Sequence, residues 1–151
     1  MSTLKAGDTR IDEEFLAPLR RVWAWLLSLD DGTGRWMCPA HKVEHTGKNV
    51  GAIVLACELL KRDPQADREH LLAVAVQQAR RAVANLVREE NSECHTFRPG
   101  RHDPFNCSNS VIDGGACADA LAQLVREQGA HLSAADRESF AAASVLHART
   151  Y

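Results

Sequence analysis

The feature that most constrains this chain is the order of its connections. Five segments with apolar residues at three- and four-residue steps are joined by a long polar loop, a short turn, a second long loop and a second short turn. Steps of three and four place side chains on one face of an α-helix, and no segment shows the alternation of a half-buried strand. The chain is therefore expected to be all-α. Successive antiparallel helices put alternate connections at opposite ends, so the two long loops, 30–47 and 91–113, are expected at the same end.

The helices are expected as follows. Ile11, Phe15, Leu16, Leu19, Val22, Trp23, Leu26 and Leu27 make helix 1, which contains Pro18 and stops at the turn residues Asp30 to Gly34. Pro18 either kinks that helix or begins it. Helix 2 starts at Val50 and is apolar almost all round, as a helix buried on most sides would be, and Asp63-Pro64 ends it. Helix 3 runs from about Ala66 to Glu90 on a single stripe that includes Leu72, Val76, Val83, Leu86 and Val87. Helix 4 covers Gly115 to Gln128, with Gly129 as its C-cap. Ser133 and Asp136 form a variant capping box that opens helix 5 through Phe140, Val145 and Leu146. A shift of 64 residues superposes Asn49, Gly51, Ala52, Ala56, Leu60 and Arg62 on Asp113, Gly115, Ala116, Ala120, Leu124 and Arg126, a faint repeat of the kind helical hairpins produce.

Composition narrows the function. A hydrophobic share of 45% with a charged share of 25% is that of a soluble globular domain, and 151 residues suffice for one domain with a core of its own. A net charge of -2 without a basic stripe argues against nucleic acid as a partner, and no apolar run reaches membrane-spanning length. The polar N-terminus carries no secretory h-region, and five cysteines, an odd number, argue for a reducing compartment, so the cytoplasm is expected.

Chemistry concentrates in the two loops. Asp113 stands just before a Gly pair at the expected mouth of helix 4, where it either caps the helix or serves as a catalytic acid or base. Glu44 and Asp103 are the other proton-transfer candidates, because glycoside hydrolysis needs two carboxylates across a cleft. Trp36 and Phe105 either stack on a sugar ring or anchor their loops, and Arg98 and Arg101 suit a carboxylate or sulfate. His41, His45 and His102 would position substrate, and Asn106 and Asn109 would bind hydroxyl groups or form turns. A competing reading uses Cys38, His41, Cys94 and Cys107 as zinc ligands that clamp the loops together. Cys57 and Cys117 are expected as small buried residues, and His147 at a helix edge as a surface residue.

Alternation of amphipathic and mostly apolar small-residue helices, with loops enlarged at one end, resembles the α/α toroid of six-hairpin glycosidases, polysaccharide lyases and terpene cyclases. That resemblance implies helices 1, 3 and 5 outside, helices 2 and 4 inside, and a working face where the long loops enter the inner helices. It implies a carbohydrate-active domain, with a small molecule or oligosaccharide as substrate and no obligatory cofactor. Five helices are fewer than a closed ring needs, so the chain is expected to be the N-terminal part of a longer toroid or a smaller bundle. The alternatives from other classes are a zinc-stabilised interaction module and a non-catalytic scaffold that pairs with further helices or with a second copy.

Overall fold

Five helices and one short hairpin form the protein in a computed structural model that describes residues 9–40, 42, 44–89, 92–97 and 111–150, the side chains of 9–12 and 111–113 excepted. The order is α1 (Thr9–Leu27), α2 (Thr46–Arg62), α3 (Arg68–Ala84), β1 (Leu86–Arg88), β2 (His95–Phe97), α4 (Val111–Gln128), a 3-10 turn (Gly129–His131) and α5 (Ala134–Thr150). The all-α expectation holds, with two strands added. No helix among the described residues is long and apolar enough to cross a membrane.

Helix α1 runs unbroken through Pro18, whose ring lies on the exposed side. Helix α2 begins at Thr46, four residues before the expected Val50. Its first turn reads as polar, yet Thr46 and Asn49 point inward and are buried with hydrogen-bond partners, which periodicity of apolar residues cannot reveal. Helix α3 is opened by Asp67, whose carboxylate accepts from the His70 N–H at 3.0 Å, and it ends at Ala84 rather than Glu90. Leu86 and Val87 fit its stripe, but they leave the helix as a strand paired antiparallel with β2, Leu86 opposite Phe97 and Arg88 opposite His95. Phe97 decides this, because the hairpin buries its ring completely in the core.

Helix α2 packs against α1, α3 and α4, which accounts for its apolar circumference, and α4 packs against α2 and α5. Ile53, Ala56 and Leu60 from α2 meet a core completed by Leu16 and Trp23 of α1, Leu71 and Ala75 of α3, Leu121 and Leu124 of α4 and Phe140 of α5. The 64-residue repeat maps these two central helices onto each other, with Ala56 and Ala120 both buried, but it fails at Ala116, which is exposed where Ala52 is buried.

Two ion pairs fasten the helices at their edges. Arg20 grips Asp63 with two hydrogen bonds of 2.7 Å, tying α1 to the α2–α3 turn. Arg80 grips Asp136 at 2.7 and 2.8 Å, tying α3 to α5. Asp136 also accepts from the Ser133 hydroxyl at 2.6 Å, while Ser133 caps the helix by accepting the Asp136 N–H. The Arg20 guanidinium and the Gln65 N–H hold Asp63 below the usual carboxylate range, and Arg80 and Ser133 do the same for Asp136. A carboxylate depressed in the folded state contributes its stability above its unfolded pKa, near about 4, and loses it as pH falls through the folded value. Melting temperature is therefore expected to fall below about pH 4, and the Asp63→Asn/Asp136→Asn double variant to show a flatter acid limb. An acid limb that the double variant leaves unchanged would assign the loss to other groups.

Candidate functional site at the loop end

The described ends of the two long connections meet as their order requires. The Thr46 hydroxyl at the start of α2 donates to the Phe97 carbonyl of β2 at 2.9 Å. The His95 N–H donates to the Thr150 hydroxyl of α5 at 3.0 Å. One end of the bundle thus gathers the start of α2, the hairpin and the end of α5, with the first turn of α4 beside them.

Loop 30–47 is built as a small structure of its own. Asp30 accepts the N–H groups of Gly32 and Gly34, both at 2.8 Å, and closes the turn. Gly34 has φ of 81°, a left-handed conformation that residues with a Cβ rarely adopt. The Met37 N–H then donates to the Leu29 carbonyl at 3.0 Å and folds the strand-like segment back on α1. Trp36, expected either as a sugar platform or as the anchor of its loop, is only 1% exposed and meets Trp23 edge to face at 6.3 Å. Its ring is the loop's anchor in the core.

Glu44 is likewise an anchor. It is 5% exposed, and Arg81 of α3 binds both of its oxygens, at 2.8 and 2.7 Å. Asn49 lies beside it at 3.4 Å and donates to Gln78 at 2.8 Å, and Gln78 in turn donates to the Gly34 carbonyl at 2.9 Å. Proton transfer to a ligand would require Glu44 to leave this buried pair, so its geometry fits positioning rather than the acid or base role expected from sequence. Asn49 Oδ1 is buried without a partner in this network. The N-cap of α2 is the half-buried His45.

A third cluster went unseen in the sequence. His147 of α5 is buried, and its Nδ1 lies 2.6 Å from the His95 carbonyl. A carbonyl only accepts, so Nδ1 carries the proton and Nε2 faces the other way. That ring rests on Gly114, where an added Cβ would come within 2.5 Å of Cε1, 3.0 Å of Nε2 and 3.2 Å of Thr96 Oγ1. Thr96 Oγ1 is itself buried without a hydrogen-bond partner among the described residues. The signal for His147 was present: Asp136, Phe140, Ala143 and His147 repeat at four, three and four residues and form the buried stripe of α5.

Asp113 lies in the first turn of α4, two residues beyond its start at Val111, so the helix opens earlier than expected and Asp113 is not its N-cap. Its side chain, together with His41, Arg98, Arg101, His102, Asp103, Phe105, Asn106, Cys107 and Asn109, lies outside what is described. Of the four zinc-ligand candidates, Cys38 and Cys94 are half-buried and the other two are outside the described residues. Among the described residues no three His, Cys, Asp or Glu side chains gather as metal ligands. Cys57 and Cys117 sit in the core of α2 and α4, where burial pushes each thiol up to about 12. They are inert packing residues.

No protein-family model, curated protein or solved structure matches this chain.

Proposed function

We propose that the loop end of the bundle binds a carbohydrate and supports acid–base chemistry on it, as glycoside hydrolases and polysaccharide lyases do, in a reducing compartment such as the cytoplasm. The observation that supports this reading is convergence. The Thr46–Phe97 hydrogen bond brings loop 30–47 and the hairpin that leads into loop 91–113 together beside the first turns of α2 and α4. Helix N-termini carry unsatisfied N–H groups and favour the developing negative charge of a deprotonated hydroxyl. Asp113 is the proton-transfer group in this reading, with Asp103 as its counterpart. His147 and Glu44 are positioning residues: the first holds the hairpin against α4, and the second holds loop 30–47 against α3. The likeness to α/α toroids supports the same placement.

The test is Asp113→Asn with binding to a panel of neutral and acidic oligosaccharides followed by calorimetry, alongside the melting temperature and the metal content of the sample. Binding or turnover is expected to disappear while stability changes by less than about 1 kcal/mol, the usual weight of a charge in the first helical turn. Unchanged binding with a larger stability loss would make Asp113 a helix-stabilising residue only. Near-stoichiometric zinc would instead favour the interaction module clamped by Cys38, His41, Cys94 and Cys107.

A further inference from the structure

An unpaired hydroxyl meets the first turn of α4. Successive side chains of a strand point to opposite faces, so burial of the Phe97 ring in the core turns the neighbouring Thr96 the other way, toward α4. Its Oγ1 lies 3.2 Å from the place a Cβ on Gly114 would take. Cα–Cβ bonds tilt toward the N-terminus of a helix, which puts that place on the opening side of α4. Thr96 is 0% exposed, yet its Oγ1 has no hydrogen-bond partner among the described residues. A buried hydroxyl without a partner destabilises a fold, whereas valine would fill the same shape at no such cost. A partner that comes from outside the chain accounts for the hydroxyl.

The surroundings say what charge that partner carries. The N–H groups of the first turn of α4 have no acceptors within the helix, and they form its positive end. Helix α2 opens at the same end of the bundle with no acidic residue in its first turn. Gly114 and Gly115 leave the start of α4 bare: at the half-buried Gly115 no described atom comes within 4 Å of where a Cβ would stand, so a ligand reaches the backbone there. The His147 ring closes the other side of Gly114, its Cε1 edge nearest. A hydroxyl that can donate, set beside helix N–H donors, suits a group that only accepts.

We propose that the first turn of α4 and the Thr96 hydroxyl form a subsite for a small anionic oxygen group, the carboxylate of a sugar acid or the phosphate of a sugar phosphate. The inference rests on the carbohydrate reading only for what carries the anion. Thr96 supplies the hydrogen bond that fixes the anion beside the hairpin, and the helix end supplies the field that favours its charge.

Calorimetric titration and thermal melting of the full chain with glucuronate, glucose 6-phosphate, glucose and inorganic phosphate test it. One of the two charged sugars is expected to bind about tenfold or more tightly than glucose, and which one does so tells carboxylate from phosphate. Thr96→Val is expected to lower that affinity by about tenfold or more, the weight of a hydrogen bond to a charged group. The same variant is expected to raise the melting temperature of the ligand-free protein by about 2–4 °C, because the unpaired hydroxyl is gone. Thr96→Ser keeps the hydroxyl and is expected to keep the binding. A wild-type chain that binds none of the four would overturn the proposal, as would anion binding indifferent to Thr96→Val. A Thr96→Val variant that melts lower in the absence of ligand would also overturn it, by showing that a buried water already serves the hydroxyl. Thr96-dependent binding of inorganic phosphate with no gain from either charged sugar would uphold the anion subsite and remove the carbohydrate reading. Glucose bound as tightly as the charged sugars, by wild type and Thr96→Val alike, would do the reverse.

Discussion

Trp36→Ala is expected to lower stability by about 3–5 kcal/mol, the usual cost of removing a fully buried large aromatic ring. For a domain of this size that is a fall in melting temperature of roughly 10 °C, read by thermal denaturation. The expectation follows from a ring that is buried on Trp23 and that carries loop 30–47 back onto α1. Trp36→Phe keeps part of the packing and should lose less. The experiment also separates two roles that sequence left open. A stacking platform for a sugar would lose affinity at an unchanged melting temperature, and that result would return Trp36 to the binding site.

Arg81→Met is expected to cost about 3 kcal/mol, near the low end for breaking a buried ion pair. The low end applies because the Arg81 side chain is partly exposed, so water reaches its side of the pair, while the buried Glu44 keeps Asn49 at 3.4 Å and Arg35 at 3.9 Å. Glu44→Gln should cost less, since Arg81 can turn to solvent and the amide still accepts a hydrogen bond. The Arg81→Met/Glu44→Gln double variant should be more stable than the sum of the singles predicts, because the two residues act as one unit. Urea denaturation of the four proteins closes the cycle. Additive effects, or an activity lost by Glu44→Gln without loss of stability, would show that Glu44 acts on a ligand instead.

The parts of the fold that were legible in the sequence were those governed by burial of apolar stripes. The five helices, the buried position of α2 and the shared end of the two loops follow from periodicity and connection order, while the central position of α4 was only what the toroid resemblance implies. Errors fell where polar residues are buried or where two periods coincide. Thr46 and Asn49 hid the first turn of α2 because their partners, Phe97 and Gln78, are 51 and 29 residues away. Leu86 and Val87 satisfy a helical stripe and a short strand equally well, and only the burial of Phe97 on the opposing strand chooses between them. Glu44 and Trp36 were rightly singled out as unusual loop residues, but residue type alone cannot tell an anchor from a ligand contact. The residue type and helix-end position of His147 suggest the surface, although its place on the stripe of α5 marks it as interior. Most of the site residues expected in loop 91–113 lie outside the described residues.

The bonds that His95 makes to Thr150 and His147 have a consequence for how the protein comes into being. Both backbone groups of His95 are satisfied by residues synthesised more than fifty positions later, so this part of β2 stays unfastened until α5 has been made. Four helices can begin to associate while the loop end is still unfastened. A chain released before α5 would therefore lack both the fastening of this end and the part of the core that Phe140 and Ala143 supply.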